Sequence, residues 1–237
     1  MGIGELVVIL VCALVGGMVQ GSLGIGYGLV AGPGLVFVDS AFAPGPILIV
    51  GMVVGLRVVF TEHEHIDRPG LNRCVVGAPF GVVAGLVVLS AMDDRTLSIL
   101  VGAVTAFAAV AMLAGASLRR TAPIEVVAGA ATAFSATTAG MPGPPLVVAF
   151  SDLTPAGLRS TASAFISLLA VVAVVTLTLT GNFGRHEAGL LAMLLPGTLI
   201  GLAFARYCKP YLERTWFRPM ILVVACLGGL ALIVRNL

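Results

Sequence analysis

Two clusters of glycine, proline and hydroxyl residues interrupt otherwise apolar stretches of the sequence. The first reads GSLGIGYG over residues 21–28, and the second reads TTAGMPGPP over residues 137–145. Each glycine in a helix interior costs about 1 kcal/mol, and an interior proline breaks the hydrogen-bond ladder. A helix that restarts after such a break exposes free N–H groups and the positive end of its dipole, which together bind anions. The two clusters therefore predict an anion site built from backbone amides.

Residues in and beside the clusters supply the other groups that such a site needs. Glycine lets a ligand touch the backbone, proline suits a first helical turn, and small polar side chains donate hydrogen bonds to oxyanions. The predicted substrate-binding residues of the two clusters are Gln20, Ser22, Gly24, Gly26, Tyr27, Gly28, Thr137, Thr138, Gly140, Pro142, Gly143 and Pro144.

Arg57 is a candidate for a fixed counter-charge, because a guanidinium can hold two oxygens of an anion at once. It lies about twelve residues into an apolar stretch, where an arginine is a functional hypothesis by default. The polar run TEHEHID begins only four residues later, at Thr61. Arg57 could therefore equally extend its side chain to the loop, and both interpretations stay open.

The elements that must position these residues are membrane helices. The chain has 237 residues, of which 59% are hydrophobic and 10% charged, and its mean hydropathy is +1.10, whereas soluble domains carry about 25% charged residues. We expect an all-α polytopic membrane protein with about eight transmembrane helices, in a bacterial inner membrane. The predicted spans are 5–37, 45–61, 71–91, 95–115, 123–150, 157–180, 187–207 and 216–235.

The two halves of the chain read as copies of one four-span unit, residues 1–118 and 119–237, each starting with a broken helix. GIGYG at 24–28 aligns with GMPGP at 140–144, and GVVAG at 81–85 aligns with GTLIG at 197–201. For GVVAG and GTLIG, close helix packing is the preferred explanation. If each unit crosses the membrane four times, the two units have the same orientation in the membrane. If the broken segment of each unit turns back instead of crossing, they do not. With eight full crossings the two sides hold seven and six basic residues, which predicts no orientation.

The motifs resemble those of the TauE/SafE sulfite exporter family. GIGYG, followed by a proline near residue 33, and GMPGPPLVV and LRSTASAF in the second half are similar to the family's paired glycine-rich, glycine-proline and arginine-threonine motifs. The resemblance covers residues 10–235 and implies a transporter, with export as the expected direction, of small sulfur-containing anions such as sulfite, sulfoacetate or other organosulfonates. Tyr27 and Pro142 depart from the pattern, which usually has glycine at both positions.

The resemblance adds Arg159 to the predicted site, together with its neighbours Ser160 and Ser163. Position alone is equally compatible with an interfacial arginine that pairs with Asp152, and the family motif favours a ligand role. The loop residues His63 and His65 have a spacing that differs from the i, i+4 histidines of a zinc-protease helix. We therefore expect a solvated loop there, with proton transfer near the cavity mouth as a milder alternative.

Four classes of function are compatible with a protein of this composition. A transporter of small anions, with the lipid bilayer as its surroundings, is the prediction, and an anion channel of the same architecture is the alternative. A membrane-embedded enzyme would need a nucleophile with a base or a metal cluster, and a structural subunit would not need two broken helices. We expect no catalytic residues, no metal, no cofactor and no nucleic acid, and a homodimer is a further option.

Overall fold

The computed structural model describes residues 2–181, 183–212 and 217–237, and in these it is entirely helical. Two short 3-10 helices, Ser40–Phe42 and His63–His65, flank the third α-helix. The α-helices in chain order are α1 (Ile3–Leu23), α2 (Tyr27–Val38), α3 (Gly45–Glu62), α4 (Arg68–Ser90), α5 (Asp94–Leu113), α6 (Ala122–Ala139), α7 (Gly143–Ala149), α8 (Pro155–Leu179), α9 (Arg185–Leu212) and α10 (Phe217–Asn236).

Seven segments of the described chain are long and apolar enough to cross a membrane, which agrees with a multi-pass membrane protein. They are Ile3–Leu23, Ser40–His65, Arg68–Ser90, Asp94–Leu113, Pro155–Leu179, Arg185–Ala205 and Pro219–Asn236. The sequence predicted eight spans. Helix α6 is absent from the seven, and its polar residues Glu125 and Thr132 are fully enclosed by protein.

The first predicted break is present, and the chain turns back there. Helix α1 ends at Gly24 and α2 begins at Tyr27, with Gly24 and Gly26 both at positive φ, 78° and 112°. A Cβ on Gly16 would lie 2.9 Å from the Tyr27 ring, and a Cβ on Gly34 would lie 2.6 Å from Cys12 Sγ. Because residues progressively earlier in α1 meet residues progressively later in α2, the two helices form an antiparallel hairpin. The segment predicted at 5–37 is therefore two helices, and its break turns the chain back, which is one of the two courses that the sequence left open.

The second break forms a similar hairpin from α6 and α7. Gly140 ends α6 at a φ of 69°, and α7 begins at Gly143. Ser135 Oγ donates to the Met141 carbonyl at 2.9 Å, and the Leu118 N–H donates to the Val148 carbonyl at 3.1 Å. The end of α7 thus lies beside the segment that precedes α6, so the segment predicted at 123–150 also folds back on itself.

Contacts between loops define two ends of the helix bundle. The terminal end holds the start of α1, the end of α10 and the connections α2–α3, α4–α5 and α8–α9. There, His186 Nε2 lies 3.0 Å from Asp39 Oδ2. The opposite end holds the connections α3–α4, α5–α6 and α7–α8 and the end of α9. There, Arg120 pairs with Asp67 and lies 3.8 Å from Asp152.

The opposite end is called the basic end here, because it carries most of the positive charge in the described residues. The terminal end has Arg95, Arg185 and Arg235, and the basic end has Arg57, Arg68, Arg73, Arg119, Arg120, Arg159, Arg206, Lys209 and Arg218. The near-even distribution assumed eight full crossings, and it does not apply to a chain whose two broken segments turn back. Because α2 turns back, every loop between the two hairpins lies at the opposite end of the bundle from where it would lie if residues 5–37 crossed the membrane once.

Helix packing follows a reciprocal pattern between the two halves of the chain. The most extensive contacts are those of α4 with α6, α1 with α9, α5 with α10 and α3 with α8. Glycines make the first two pairs close: a Cβ on Gly81 would overlap the Ala130 carbonyl, and one on Gly201 would overlap the Leu14 carbonyl. The packing explanation for GVVAG and GTLIG is thus confirmed, since neither glycine has room for a side chain.

Candidate functional site

The tips of the two hairpins meet inside the bundle and line one cavity. A Cβ on Gly143 would lie 3.5 Å from Ile25 Cβ, and one on Gly28 would lie 2.5 Å from the Gly140 carbonyl oxygen. The cavity has a volume of about 910 Å³ and extends from these tips to Ser117 and to other residues of the basic end. Toward the terminal end, the interior is filled by buried side chains, including Leu35, Phe42, Ile47, Met141 and Leu194.

Gln20 holds the tip of the first hairpin in place. Its Oε1 accepts from the Tyr27 N–H at 3.0 Å, and its Nε2 donates to the Gly51 carbonyl of α3 at 2.7 Å. The side chain is buried, with 4% of its surface exposed. Gln20 thereby caps one of the first N–H groups of α2 and ties the break to α3.

Further N–H groups at the start of α2 have no acceptor in the described part of the chain. Helix geometry leaves the first four N–H groups without helical partners. Tyr27 donates to Gln20 and Val30 donates to the Gly26 carbonyl, whereas Gly28 and Leu29 donate to no described residue. Both residues line the cavity. The first tip therefore presents free amide donors together with the positive end of a twelve-residue helix.

The second tip offers fewer donors than the first. Proline has no N–H group, so at Pro142, Pro144 and Pro145 the backbone cannot donate. Met141 donates to the Ser135 carbonyl at 3.2 Å, and the N–H groups of Gly143 and Leu146 have no acceptor among the described residues. Of these two, Gly143 lines the cavity. The two tips are thus unequal, and the first supplies most of the backbone donors.

Arg159 brings a positive charge to the cavity wall. Its Nε and Nη2 lie 2.8 and 2.6 Å from Glu62 Oε2, and its side chain packs across Gly24. It is 8% exposed. Among the described residues that line the cavity, Arg159 carries the one formal charge, and the other walls are largely apolar, with Leu113, Val147 and Leu222 as examples.

The cavity includes some of the residues predicted from sequence and not others. Those that line it are Gln20, Gly26, Tyr27, Gly28, Gly140, Pro142, Gly143, Pro144 and Arg159. Those that do not line it are Ser22, Gly24, Arg57, Thr137, Thr138, Ser160 and Ser163.

Most of the predicted hydroxyl donors are used within the protein. Ser22 Oγ donates to the Ala205 carbonyl, Ser163 Oγ to the Gly24 carbonyl, Thr138 Oγ1 to the Phe134 carbonyl and Ser160 Oγ to the Gly157 carbonyl, at 2.8–3.2 Å. Thr137 Oγ1 is buried without a partner among the described residues, and Thr137 packs on Gly85 of α4. These side chains secure the hairpins and α8 to their neighbours.

Arg57 lies away from the cavity and on the surface of the bundle. Its side chain is exposed, and Nη1 donates to the Leu202 carbonyl of α9 at 3.2 Å. The structure therefore places Arg57 outside the cavity, in contact with α9 at the surface of the bundle.

Two residues that sequence reasoning did not select support the site. Glu62 pairs with Arg159 across 97 positions of sequence, and Thr198 shares a hydrogen bond of 3.0 Å with the buried Tyr27 hydroxyl. Thr198 belongs to the GTLIG motif that aligned with GVVAG. Glu62 lies in the polar run that begins at the end of α3, and no local pattern distinguishes it from Glu64.

Comparison with protein families supports the resemblance. The family model described as Sulfite exporter TauE/SafE matches residues 9–232, nearly the whole chain. Comparison with curated proteins and with solved structures gave no match. Members of this family are transporters rather than enzymes, which agrees with the apolar helices and with the hairpin cavity. The chain is a multi-pass membrane protein that belongs to the TauE/SafE sulfite exporter family.

Proposed function

We propose that the protein carries a small sulfur-containing oxyanion, sulfite or an organosulfonate, across a bacterial inner membrane and binds it between the two hairpin tips. The observation that carries the proposal is a cavity lined both by the start of α2, with its free N–H groups, and by Arg159. Sulfur oxyanions present several acceptor oxygens and negative charge, which match these donors. The family membership supports the same substrate class.

The apolar walls fit a substrate with a small organic group. Most residues that line the cavity carry no polar side chain, and its volume of about 910 Å³ exceeds what one sulfite ion needs. An anion headgroup at the first tip leaves the space between Leu113, Val147 and Leu222 for carbon atoms. Organosulfonates therefore use more of the cavity than sulfite does.

Alternating access follows from two inverted repeats, residues 1–118 and 119–237. Each repeat comprises a hairpin and three further helices, and the first hairpin enters from the terminal end while the second enters from the basic end. The reciprocal packing supports this relation, since α1 packs on α9 as α6 packs on α4. Breaks at matching positions of inverted repeats are typical of the binding sites of secondary transporters. Closure of the cavity toward the terminal end favours a carrier over an open channel.

The basic end faces the cytoplasm, and the cavity is open to that side. Short loops rich in arginine and lysine stay in the cytoplasm of bacterial membranes, and nine of the twelve described basic residues belong to this end. A chain without its native cysteines and with Ser117→Cys at the cavity should react with an impermeant maleimide in inside-out vesicles. Ser90→Cys, at the terminal end, should react in spheroplasts. Reversal of these two results would overturn the orientation.

The binding experiment uses purified protein in detergent and a panel of sulfite, methanesulfonate, sulfoacetate, taurine, sulfate and chloride, with thermal unfolding as the readout. A ligand that binds the folded state raises the unfolding temperature by mass action. We expect stabilisation by sulfite or by a sulfonate, its loss in Arg159→Gln, and its retention in the matched variant Arg57→Gln. Absence of stabilisation by every anion at tens of millimolar would refute the proposed site.

Flux measurements then distinguish transport from binding alone. Proteoliposomes loaded with the anion that stabilises the protein should release it faster than liposomes without protein. Release should saturate with anion concentration if the protein is a carrier. Flux that rises linearly with concentration, at rates far above those of a carrier, would indicate the anion channel instead.

A further inference from the structure

Glu62 places a fixed negative charge directly behind the cationic group of the cavity. It is the last residue of α3, and its Oε2 lies 2.6 Å from Nη2 and 2.8 Å from Nε of Arg159. The Arg159 side chain is 10% exposed and that of Glu62 26%. Arg159 lines the cavity and Glu62 does not. The carboxylate therefore approaches the guanidinium from outside the cavity, and the pair as a whole carries no net charge.

Apart from Arg159, no described residue that lines the cavity carries a charge that could offset Glu62. Asp67 of the following loop pairs with Arg120 of the α5–α6 connection, and Arg120 also bonds Glu125 at 2.5 Å. His63, Glu64 and His65 of the same loop are exposed. An anion in the cavity thus meets the guanidinium and the amide dipoles on one side and a carboxylate just beyond them.

We propose that Glu62 determines the charge of the anion that the cavity accepts, so that monoanions bind and dianions are rejected. The inference rests on the proposed anion site. Repulsion between a ligand and a fixed carboxylate grows in proportion to the charge of the ligand, and it is strong where protein replaces water. A dianion also gains twice the attraction, but the cost of removing an ion from water grows with the square of its charge, so a dianion needs a strongly positive site. Because Glu62 offsets the charge of Arg159, the attraction that remains suffices for a monoanion and not for a dianion.

This rule separates substrates that share the same sulfur–oxygen geometry. Alkyl sulfonates and hydrogensulfite are monoanions, and sulfate and fully deprotonated sulfite are dianions. Shape alone would not distinguish methanesulfonate from sulfate, because both present three equivalent oxygens to a binding site. The apolar walls select for the organic group, and the Glu62–Arg159 pair adds a separate selection by charge.

Contacts that do not involve Glu62 hold the α3–α4 connection in place. The Asp67 N–H donates to Thr161 Oγ1 at 2.9 Å, and Asp67 pairs with Arg120. These bonds attach the α3–α4 connection to α8 and to the α5–α6 connection without Glu62. Replacing Glu62 by glutamine should therefore change the charge of the site while the loop keeps its position.

The test compares affinities for methanesulfonate and sulfate at neutral pH, by calorimetry on the full chain in detergent. The wild-type protein should bind methanesulfonate about tenfold or more tightly than sulfate. Glu62→Gln should reduce this preference by about tenfold or more, chiefly through tighter sulfate binding. Glu64→Gln removes an exposed carboxylate two residues away and should leave both affinities unchanged.

Each outcome decides the inference. Equal affinities for the two anions in the wild type, or an unchanged preference in Glu62→Gln, would overturn it while the anion site itself stands. The wild-type comparison requires no variant, so the test survives if Glu62→Gln does not fold. Glu62→Asp keeps the charge and should keep the preference. Binding of neither anion to the wild type would refute the proposed function and the inference together.

Discussion

Gly24 and Gly181 form a matched pair for testing the contact between the first break and Arg159. Their φ angles are 78° and 79°, so alanine at either position has nearly the same φ to adopt. A Cβ on Gly181 would have nothing within 4 Å, whereas a Cβ on Gly24 would overlap Arg159 Cγ and lie 2.9 Å from Arg159 Cβ. The two substitutions therefore differ in one respect, the displacement of Arg159.

The magnitudes follow from these two contributions. A left-handed backbone costs a residue with a Cβ about 1–2 kcal/mol, which both Gly24→Ala and Gly181→Ala should lose in stability. Overpacking adds about 1–3 kcal/mol for Gly24→Ala alone. The displaced guanidinium should also bind anions about tenfold or more weakly, since a hydrogen bond to a charged group contributes about 1.5–3 kcal/mol.

Thermal unfolding in detergent and calorimetry with methanesulfonate measure these two effects separately. Gly181→Ala should unfold at a lower temperature than the wild type and bind methanesulfonate with unchanged affinity. Gly24→Ala should be the less stable of the two and should bind more weakly. Equal losses of stability, together with unchanged binding in Gly24→Ala, would show that Arg159 does not depend on the glycine and would refute the reasoning.

Three further predictions concern stability. Thr198→Val leaves the buried Tyr27 hydroxyl without the partner at 3.0 Å and should lower the free energy of unfolding by about 1–3 kcal/mol, a loss that Tyr27→Phe in the same chain should partly restore. Glu125→Gln removes a fully buried carboxylate that holds two arginines at 2.5–2.6 Å, and denaturation should show a loss of about 3 kcal/mol, the low end for a buried ion pair because one arginine is half-exposed. Hydrogen bonds from the Thr96 side chain and N–H lower the pKa of Asp93, which caps α5. Since the group is stabilising when ionised, the difference in unfolding temperature between wild type and Asp93→Ala should be greatest at neutral pH and shrink as the pH falls below the ordinary range of aspartate; a difference that grows in acid would contradict the cap.

Sequence by itself determined the features that depend on local chemistry. Apolar composition required membrane helices, because unpaired backbone groups are too costly in lipid. The breaks at Gly24–Gly26 and Gly140–Pro142 were predictable, since glycine at positive φ and proline restrict the backbone wherever they occur. The packing role of Gly81 and Gly201 likewise followed from their spacing, and the family motifs indicated the class of transporter.

Tertiary structure decided the features that depend on where distant segments meet. A break allows a chain to continue or to turn back, and the contacts of α2 with α1 select the return, which reverses the side of every loop between the hairpins. The same packing directs Ser22 and Ser163 to backbone carbonyls and leaves Arg57 on the surface. It also brings Glu62 to Arg159 across 97 residues. Local sequence restricts the backbone at a break, but long-range packing sets the direction of the chain and the charge of the site that results.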